Sequence, residues 1–370
     1  MSAPLRAAVI GLGRMGSTFD DERTSGGAVY LPYCHTPAYL ASPHTELVGG
    51  ADPHDGQRSI YAERWGLEGH VYADYRELLE KEKPDIVSVC TSARPRAEIV
   101  ETAARSGVTA IWAEKPIALT LAQADRMVEV CAANGVTLAV NCARRWNPHY
   151  ASARELIMAG EIGEVLQVTA YYLCGLSHNG SHGIDAMRFL AADGNVRWVF
   201  GEIESDEAAF GEEDPQGNGY LAFDNGARGF LRSTECGPVT GREFDVLGTG
   251  GRIRVVESNL QFELWKPVPG GPRGGTQAAQ LPFPYPTRIE GMGPTIIDDI
   301  VRSAAAGSKP RCSGADARDA LEVALALRES HRRGFVRVDL PLEDRSLGIV
   351  SAEALEDDLP ARVRRLQAGG

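Results

Sequence analysis

The sequence predicts two domains, an α/β domain built on a parallel sheet and then an α+β domain with a large, mostly antiparallel open sheet. In residues 1–142, short apolar runs alternate with stretches of helical apolar spacing, a pattern typical of a parallel sheet with helices on both faces. After Pro148, strand-like runs follow one another through tight turns, which indicates antiparallel pairing. We therefore expect a first domain of residues 1–142, a second of residues 143–345 and a C-terminal tail of residues 346–370.

In the first domain, strand and helix candidates alternate regularly. Each helix candidate has apolar residues at helical spacing, and Thr120 with Gln123 forms a capping box before the last of them. The strand candidate at residues 70–72 is the weakest. The strand candidates are residues 7–10, 47–51, 70–72, 86–90, 108–112 and 136–140, and the helix candidates are residues 56–65, 75–81, 96–105 and 121–133.

The second domain is predicted to be mainly β. Residues 224–226 and 248–251 supply hairpin turns, whereas residues 267–286 are rich in proline and glycine and predict a surface loop. The helices near residues 295–331 are expected to pack back on the first domain. The strand candidates are residues 165–173, 196–204, 219–223, 227–232, 243–247, 253–257, 261–265 and 337–341, and the helix candidates are residues 184–191, 295–306 and 315–331.

Composition excludes several classes of function. The chain has 370 residues, of which 43% are hydrophobic and 24% charged, with a formal net charge of −12 and no block of lysine and arginine. Nucleic acid and anionic membrane surfaces are therefore not expected as partners. No apolar segment reaches the ~18 residues that a membrane span needs, and the N-terminus has no signal-peptide pattern. Seven cysteines without C-x-x-C spacing predict reduced thiols and a cytoplasmic protein.

A glycine-rich turn directly follows the first predicted strand. Gly11, Gly13 and Gly16 form the pattern G-x-G-x-x-G, with Arg14 and Met15 between them. In this position the pattern is the dinucleotide-binding fingerprint of a Rossmann domain. The first glycine permits a tight turn, the second lets the backbone approach a pyrophosphate, and the third lets helix and strand pack closely. The following helix would offer free N–H groups to the phosphates.

An acidic residue at the end of the second strand is the candidate ligand of the adenosine ribose. Asp52 has this place, although it lies farther from Gly11 than the usual ~20 residues. An insertion within residues 18–43, which contains Asp20, Asp21, Glu22 and Arg23 near the cleft, would explain the distance. A carboxylate at Asp52 favours NAD over NADP, because it would repel a 2′-phosphate; alternatively, Asp52 only caps the next helix.

Taken together, the motifs resemble those of the glucose–fructose oxidoreductase/inositol dehydrogenase/MocA (Gfo/Idh/MocA) family over nearly the whole chain. The resemblance is carried by the glycine turn and by four further segments. These are Glu114-Lys115-Pro116 after the fifth strand, the sequence NCARRWNP at residues 141–148, the pattern H-x-x-D-x-x-R-x-L at residues 182–190, and VDLP at residues 338–341.

The resemblance implies an NAD(P)-dependent dehydrogenase that acts on a CH–OH group of a sugar, a cyclitol or a derivative. In the family, the lysine of the E-K-P turn reaches both the nicotinamide and the reacting oxygen, which assigns Lys115 to catalysis and to binding of cofactor and substrate. Glu114 would steady the turn or contact the nicotinamide. A lysine beside a cationic ring has reason to lower its pKa and shuttle a proton. NAD is the expected cofactor, with NADP second.

Two histidines form the second catalytic segment. Family members often carry D-x-x-x-H; here His182 matches the histidine and His178 stands in place of the aspartate. The resemblance makes both residues candidates for proton transfer and substrate binding, with Asp185 binding substrate or orienting a neighbour. A metal site is the alternative, because His178 and His182 would share one face of a helix. We expect no metal, since nearby glycines disfavour a helix and the resemblance implies metal-free chemistry.

Other positions depart from the family pattern or leave alternatives open. Where the family has P-N-x-x-H after the fourth strand, this chain has Thr91 followed by SARPR at residues 92–96. Thr91 is a predicted cofactor ligand, whereas Arg94 and Arg96 either contact the cofactor region or face solvent. Arg144 is assigned to the cofactor and Arg145 to the substrate; the alternative is that the two divide between a ligand contact and a structural role.

The expected function is transfer of hydride between nicotinamide and a carbinol or ketone carbon, with Lys115 and His182 handling the proton. Two alternatives are a redox-neutral glycosidase or lyase with tightly held NAD, and a non-catalytic NAD-binding regulator. The second domain's sheet would pair subunits into a homodimer or homotetramer, because its outer face would otherwise be an open apolar surface.

Overall fold

The structure is a computed structural model that describes residues 3–23, 26–234, 242–257 and 260–350. It contains two sheets, one with six strands and one with nine. The six-stranded sheet is parallel and the nine-stranded sheet is almost entirely antiparallel, as predicted. Residues 351–370, which form most of the predicted tail, lie outside the described residues. The proposed boundaries after residues 142 and 345 stay predictions.

The parallel sheet has the order β3-β2-β1-β4-β5-β6. Every strand predicted in this domain is present, including the weak third strand, with ends shifted by one or a few residues. The reversal of strand order beside β1 creates a crevice at the carboxyl ends of the strands, which is where doubly wound sheets bind ligands. The strands are β1 Leu5–Ile10, β2 Thr45–Ala51, β3 Val71–Tyr72, β4 Ile86–Val89, β5 Ala110–Ala113 and β6 Thr137–Val140.

The four predicted helices of this domain are present, and the predicted capping box of the last one is formed by Thr120 and Gln123. Among the described residues, three helices were not predicted, α1 His35–Ala41, α6 Pro148–Met158 and one at Asp206–Phe210 in the second half of the chain. One of them, α6, begins after Asn147, whose side chain accepts a hydrogen bond from the His149 amide, with Pro148 in the first turn; this combination is a known start signal. The helices are α1 His35–Ala41, α2 Asp55–Trp65, α3 Tyr75–Glu82, α4 Ala93–Arg105, α5 Leu121–Ala133 and α6 Pro148–Met158.

The prediction of an ordinary helix after the glycine turn was wrong. Residues Arg14–Thr18 form a single π-helical turn and Phe19–Glu22 a 3₁₀ turn. The chain then leaves the sheet, because the Asp20 carboxylate accepts hydrogen bonds from the amides of Tyr33 and Cys34 at 3.0 and 2.9 Å. This acidic residue thus anchors the segment before α1 to the start of the insertion, and α1 completes the crossover to β2.

The second sheet has the order β14-β13-β12-β11-β7-β10-β9-β8-β15. It is not the simple meander that the tight turns suggested, because β7 lies between β10 and β11 and runs parallel to β10. The strands are β7 Val165–Tyr172, β8 Val196–Ile203, β9 Gly217–Phe223, β10 Arg228–Arg232, β11 Arg242–Gly248, β12 Arg252–Val256, β13 Gln261–Pro269, β14 Thr276–Leu281 and β15 Val338–Asp339.

The assignment of residues 267–286 to a surface loop was also wrong. Strand β13 continues to Pro269 and pairs with β14. Its pairing with β12 ends at Trp265, so Pro267 and Pro269 lie where β13 has a neighbour on one side only. Prolines are tolerated in strands that have an open side, and these two did not prevent the strand.

Long helices connect the two sheets. The helix α10 packs on β8 and β9 of the second sheet and on α5 and β6 of the first, while α9 packs on α1, β5 and β6. The amide of Val140 in β6 donates to the carbonyl of Cys312 just before α10 at 3.0 Å. The helices of the second half are α7 Gly180–Leu190, α8 Asp206–Phe210, α9 Met292–Ala306 and α10 Gly314–Arg332.

In the described part of the chain, no helix is both long and apolar enough to cross a membrane. Six of the seven cysteines lie there, and all six are free thiols.

The close packing of α10 on the second sheet depends on glycine in β8. A Cβ atom at Gly201 would lie 2.2 Å from the carbonyl oxygen of Leu327 in α10. We expect Gly201→Ala to cost about 1–3 kcal/mol through overpacking and to lower the midpoint of thermal unfolding. Gly56→Ala in α2 is the control, since nothing lies within 4 Å of its Cβ position. Equal midpoints for the Gly201 variant and the parent would contradict this account.

Candidate active site

The glycine turn between β1 and the insertion leaves room for a ligand at its second glycine. Gly11 has a φ of +91°, and a Cβ there would lie 2.8 Å from the Cys90 carbonyl carbon. A Cβ at Gly16 would lie 2.2 Å from the Gly11 carbonyl oxygen, whereas a Cβ at Gly13 would have nothing within 4 Å. Two of the glycines are therefore required by protein contacts, and Gly13 alone faces the open space that a pyrophosphate would occupy.

Arg14 and Met15 lie on the turn beyond Gly13. The Arg14 guanidinium forms two hydrogen bonds of 2.6 Å with the Glu22 carboxylate and lies 4.3 Å from the Phe19 ring centroid. It is therefore held by the insertion at the rim of the cleft, while Met15 is half-buried. Their assignment to the cofactor stays a prediction.

Asp52 ends β2 and is buried. One carboxylate oxygen accepts the Leu12 amide of the glycine turn at 3.0 Å, and the other accepts the His54 amide at the start of α2, also at 3.0 Å. Asp52 therefore fixes the glycine turn, but it does not cap α2, whose N-cap residue is His54 and which has no side-chain cap hydrogen bond. Each oxygen keeps a second lone pair for a ribose hydroxyl, so the cofactor role remains a prediction that the observed contacts do not oppose.

Two buried polar atoms face the same edge of the sheet without a hydrogen-bond partner among the described residues. They are Thr91 Oγ1 and Asn141 Oδ1, from the segments directly after β4 and β6. Buried polar atoms are nearly always paired, so these two indicate that a polar ligand completes the site. Thr91 was predicted, but Asn141 was not assigned a role; its signal was a polar residue that ends a buried parallel strand. Together with Gly13, these residues fit a dinucleotide.

Glu114 is a buried carboxylate at the centre of this edge. It accepts hydrogen bonds from Asn141 Nδ2 at 2.6 Å, from His35 Nε2 at 3.1 Å, and from the Lys115 amide at 3.2 Å. Although burial raises its pKa, the hydrogen bond and charge of His35, the Lys115 ammonium and the Asn141 amide together hold the pKa of Glu114 at about 2. Glu114 is thus ionised and steadies the turn that carries Lys115, one of the two predicted roles.

His35 comes from the insertion and was not predicted as part of the site. Its ring is fully buried and stacks on Trp112 of β5 with a centroid distance of 3.5 Å. Its Nδ1 lies 2.8 Å from Ser88 Oγ in β4. Burial lowers the pKa of His35, whereas the hydrogen bond to Glu114 and the charge of Glu114 raise it by less. No local sequence signal links position 35 to position 114, because only the fold of the insertion brings them together.

Lys115 crosses from the parallel sheet to the segment before α7. The Lys115–Pro116 peptide bond is cis, and the ammonium donates to the His178 carbonyl oxygen at 3.2 Å and to Asn179 Oδ1 at 3.3 Å. The turn is also braced from behind, because the buried guanidinium of Arg96 donates to the carbonyl oxygens of Pro116 and Thr91. Arg96 therefore does not face solvent, whereas Arg94 is exposed.

His182 lies in the first turn of α7 and is half-buried. Its Nδ1 atom is buried and has no hydrogen-bond partner in the described part of the chain. Burial lowers the pKa of His182 well below its ordinary value, and the charges of Lys115 and Arg144 lower it further. The imidazole is therefore neutral at physiological pH and can accept a proton. The structure brings Lys115, His178 and His182 to one side of the cleft.

Arg144 lies near this group but is bound by protein. Its guanidinium makes two hydrogen bonds of 2.6 Å to Glu257, which also accepts from the Tyr150 hydroxyl at 2.8 Å. It lies 5.0 Å from the ring centroid of Tyr172, whose hydroxyl is buried without a partner among the described residues. The observed contacts make Arg144 an anchor of the second domain, and its cofactor role stays a prediction.

Arg145 and Asp185 are not brought to the cleft by any observed contact. The Arg145 Nε atom lies 2.9 Å from both oxygens of the fully buried Asp185, and its Nη1 reaches Asp193 at 2.9 Å. This network joins α7 to the segment after β6. It supports a role in holding α7, and hence His182, in place; the assignment of Arg145 and Asp185 to the substrate stays a prediction.

A metal site at His178 and His182 would need both histidines on one helix. The helix α7 begins at Gly180, after His178, so the two do not share a helix face. Among the described residues, a different set brings three ligand atoms within 4.8 Å, namely Cys142, Asp185 and Cys312. This set includes neither histidine, and its carboxylate is already paired with Arg145.

A dinucleotide-binding sheet whose ligand edge is closed by a second, antiparallel domain is the arrangement of a two-domain nucleotide-dependent oxidoreductase. Comparison with known proteins gives the family. Residues 5–142 match the oxidoreductase family with an NAD-binding Rossmann fold, and residues 150–254 match the GFO/IDH/MocA C-terminal domain. The chain belongs to the Gfo/Idh/MocA family of NAD-binding oxidoreductases.

Individual relatives are distant. The chain is 26% identical to scyllo-inositol 2-dehydrogenase (NAD(+)) of Bacillus subtilis (strain 168) over 364 residues, 92% of this chain and 98% of that protein. It is 30% identical to D-glucoside 3-dehydrogenase of Escherichia coli (strain K12) over 177 residues, 47% of this chain and 46% of that protein. A solved aldose-aldose oxidoreductase from Caulobacter crescentus, complexed with glycerol, has a TM-score of 0.72 at 21% identity, covering 91% of this chain and all of that one. The last likeness concerns the fold.

The position of Asp52 makes cofactor preference testable. We expect NAD to bind more tightly than NADP, and Asp52→Ser to narrow or invert the ratio of the two dissociation constants, because a buried carboxylate beside a phosphate is unfavourable. Calorimetric titration with each nucleotide measures this ratio. Asp74→Ser is the control, since Asp74 is an exposed aspartate that caps α3. Equal affinities of the parent protein for NAD and NADP would remove Asp52 from the cofactor site.

Proposed function

We propose that the protein is an NAD-dependent dehydrogenase of a sugar, a cyclitol or a derivative, with Lys115 and His182 handling the proton. The observation that supports this proposal is that two titratable side chains from different domains lie close to each other at the carboxyl edge of the parallel sheet. One is the Lys115 ammonium, held by the His178 carbonyl. The other is a neutral imidazole with a buried, unpartnered Nδ1 in the described structure.

The chemistry assigns different tasks to the two groups. Bound NAD would supply the acceptor for the hydride that leaves the carbinol carbon. The substrate hydroxyl must lose its proton in the same conversion, so its oxygen needs a base and a nearby cation. Lys115 provides both, as the neutral amine before the transfer and as the ammonium after it. His182 is suited to pass the proton onward, because its low pKa makes it a poor resting place for the charge.

A polyhydroxylated substrate fits the unpaired groups of the cleft. The Tyr172 hydroxyl and Ser177 Oγ are buried and have no partner among the described residues. Hydroxyl groups of this kind can donate to and accept from the hydroxyls of a sugar or cyclitol. The names of the relatives, an inositol dehydrogenase and a glucoside dehydrogenase, support the same substrate class. Neither the redox-neutral alternative nor the non-catalytic one has a supporting observation.

Replacement of Lys115 tests the proposal directly. Lys115→Met keeps the length and packing of the side chain but removes its charge and its proton. We expect kcat to fall by ~10²–10⁴, the span typical of lost general acid–base catalysis, while NAD affinity changes little. The measurement is NADH formation by the parent and the variant with a panel of sugars and cyclitols.

Two further variants control this experiment. Lys309→Met removes an exposed lysine and should leave turnover unchanged. His182→Ala should cost less than Lys115→Met if His178 can replace it, and the double histidine variant should then lose much more than either single one. Near-normal turnover of Lys115→Met would show that the E-K-P turn is only structural.

The outer face of the second sheet supports a homo-oligomer. The exposed fractions of Tyr171, Phe200 and Phe230 are 36%, 42% and 39%. The ring centroid of Tyr220 lies 5.4 Å from that of Trp198 and 5.1 Å from that of Phe230. Such a contiguous aromatic patch on β7 to β10 is unusual for a surface in water. We infer that two copies of the chain pair through this face, as a dimer or within a tetramer.

Charge introduced into this face should separate the subunits. Phe200→Lys combined with Phe230→Lys places like charges on both copies of the interface, so we expect the mass in solution to fall to that of the monomer. Light scattering coupled to size exclusion measures it. Phe210→Lys on α8 is the control, because Phe210 is exposed by 65% but lies off the sheet. A parent protein that is itself monomeric would refute the interface.

A further inference from the structure

The acid that is missing from position 178 has a counterpart elsewhere in the structure. Asp214, on the loop between α8 and β9, accepts hydrogen bonds from the amides of Ser177 and His178, each at 2.7 Å. Each carboxylate oxygen takes one amide. A carboxylate therefore lies against the same segment in which related sequences often carry an aspartate, but it comes from a different element of the fold.

The approach of Asp214 is built into the backbone. A Cβ atom at Gly175 would lie 2.4 Å from Asp214 Oδ2, so only glycine at position 175 leaves room for the carboxylate. The neighbouring amide of Leu176 donates to the Pro215 carbonyl at 2.9 Å. The two loops are thus joined on both sides of Asp214, which fixes its position relative to His178.

The contact continues directly to Lys115. Asp214 holds the amide of His178, and the carbonyl oxygen of the same residue accepts a hydrogen bond from Lys115 Nζ. Lys115 Nζ also donates to Oδ1 of the adjacent Asn179. Asp214 therefore positions, through a single backbone segment, two groups that accept from the Lys115 ammonium. It also adds a negative charge on the substrate-domain side of the lysine.

The charged and titratable groups around Lys115 come from several elements. Glu114 precedes it on its own turn, and its interaction with Lys115 contributes to the low pKa of Glu114. His182 and Cys174 also experience the charge of Lys115. Arg144 and Arg242 face His182, and Arg328 of α10 faces Asp214. Asp214 is a carboxylate of the second domain that interacts with the charge of Lys115; burial raises the pKa of Asp214, whereas the amides of His178 and Ser177 and the charges of Arg328 and Lys115 lower it.

We propose that Asp214 is the positioning residue that replaces the missing aspartate: it orients Lys115 through the His178 peptide and favours the ammonium form of Lys115 as the proton arrives. This inference rests on the proposed function for its kinetic consequence. Since a nearby carboxylate raises the pKa of an ammonium group, loss of the Asp214 charge must lower the pKa of Lys115. The rate of alcohol oxidation rises with pH as Lys115 loses its proton. In a plot of kcat against pH, the rising limb must therefore move to lower pH when the Asp214 charge is lost.

The experiment compares the pH profile of kcat for the parent, Asp214→Asn and Gly175→Ala. We expect kcat at its plateau to fall by about tenfold, as when a charge-assisted hydrogen bond is weakened, and the rising limb to move down by about one pH unit. Gly175→Ala displaces the carboxylate without removing it and should move the limb in the same direction. Glu213→Gln is the matched control, because it removes an exposed charge from the same loop and should leave the profile unchanged.

A rescue variant separates this role from a merely structural one. In the Asp214→Asn background, His178→Asp returns an acid to the segment, and we expect the limb to move back toward the parent position. A lower kcat with an unshifted limb in both Asp214→Asn and Gly175→Ala would overturn the proposal and leave Asp214 as a structural residue.

A second measurement needs no substrate and so remains decisive if no polyol is oxidised. Competitive labelling with acetic anhydride, read by peptide mass spectrometry, gives the pKa of Lys115 in the apoprotein. A lower pKa in Asp214→Asn than in the parent supports the inference, and equal values refute it. Failure of the parent to oxidise any polyol would refute the proposed function alone.

Discussion

The site depends on the burial of one carboxylate. Glu114 is ionised in the interior of the protein, and a buried charge persists only when it is fully hydrogen-bonded and paired. Its partners come from three places: Asn141 after β6, His35 in the insertion, and the amide of Lys115 beside it. Because the partners lie far apart in sequence, the carboxylate joins the parallel sheet, the insertion and the E-K-P turn into one unit. Any change that removes a partner leaves charge unsatisfied and releases the turn that aims Lys115.

The second domain completes the site rather than merely covering it. Lys115 leaves the parallel sheet and finds its acceptors at His178 and Asn179, and His182 follows in the first turn of α7. The position of α7 is in turn fixed by the buried pair of Arg145 and Asp185. A nucleotide bound on the first domain would thus meet Lys115 and His182, the two side chains proposed to handle the proton, which are held in place by contacts from both domains.

Much of this arrangement follows from local sequence. Alternating apolar patterns reflect burial on one or both faces of an element, so the strands of the first sheet and the helices α2 to α5 could be predicted. The order of strands and helices, the glycine spacing and the E-K-P and histidine segments identify the family. The predictions failed where long-range pairing decided the outcome. Part of the proline-rich stretch forms β14 by pairing with the end of β13. In place of the helix expected after the glycine turn, the chain forms short π and 3₁₀ turns, and Asp20 binds the amides of Tyr33 and Cys34.

The sequence by itself determined the fold class and the chemical groups, because periodicity and motif spacing are local properties. Tertiary structure alone decided which side chains meet. His35 reaches Glu114 only through the fold of the insertion, and Arg96 braces Pro116 rather than facing solvent. Asp214 reaches the segment at His178 from another element altogether. Such contacts form because buried polar groups must find partners wherever the chain brings them, and no local pattern records that choice.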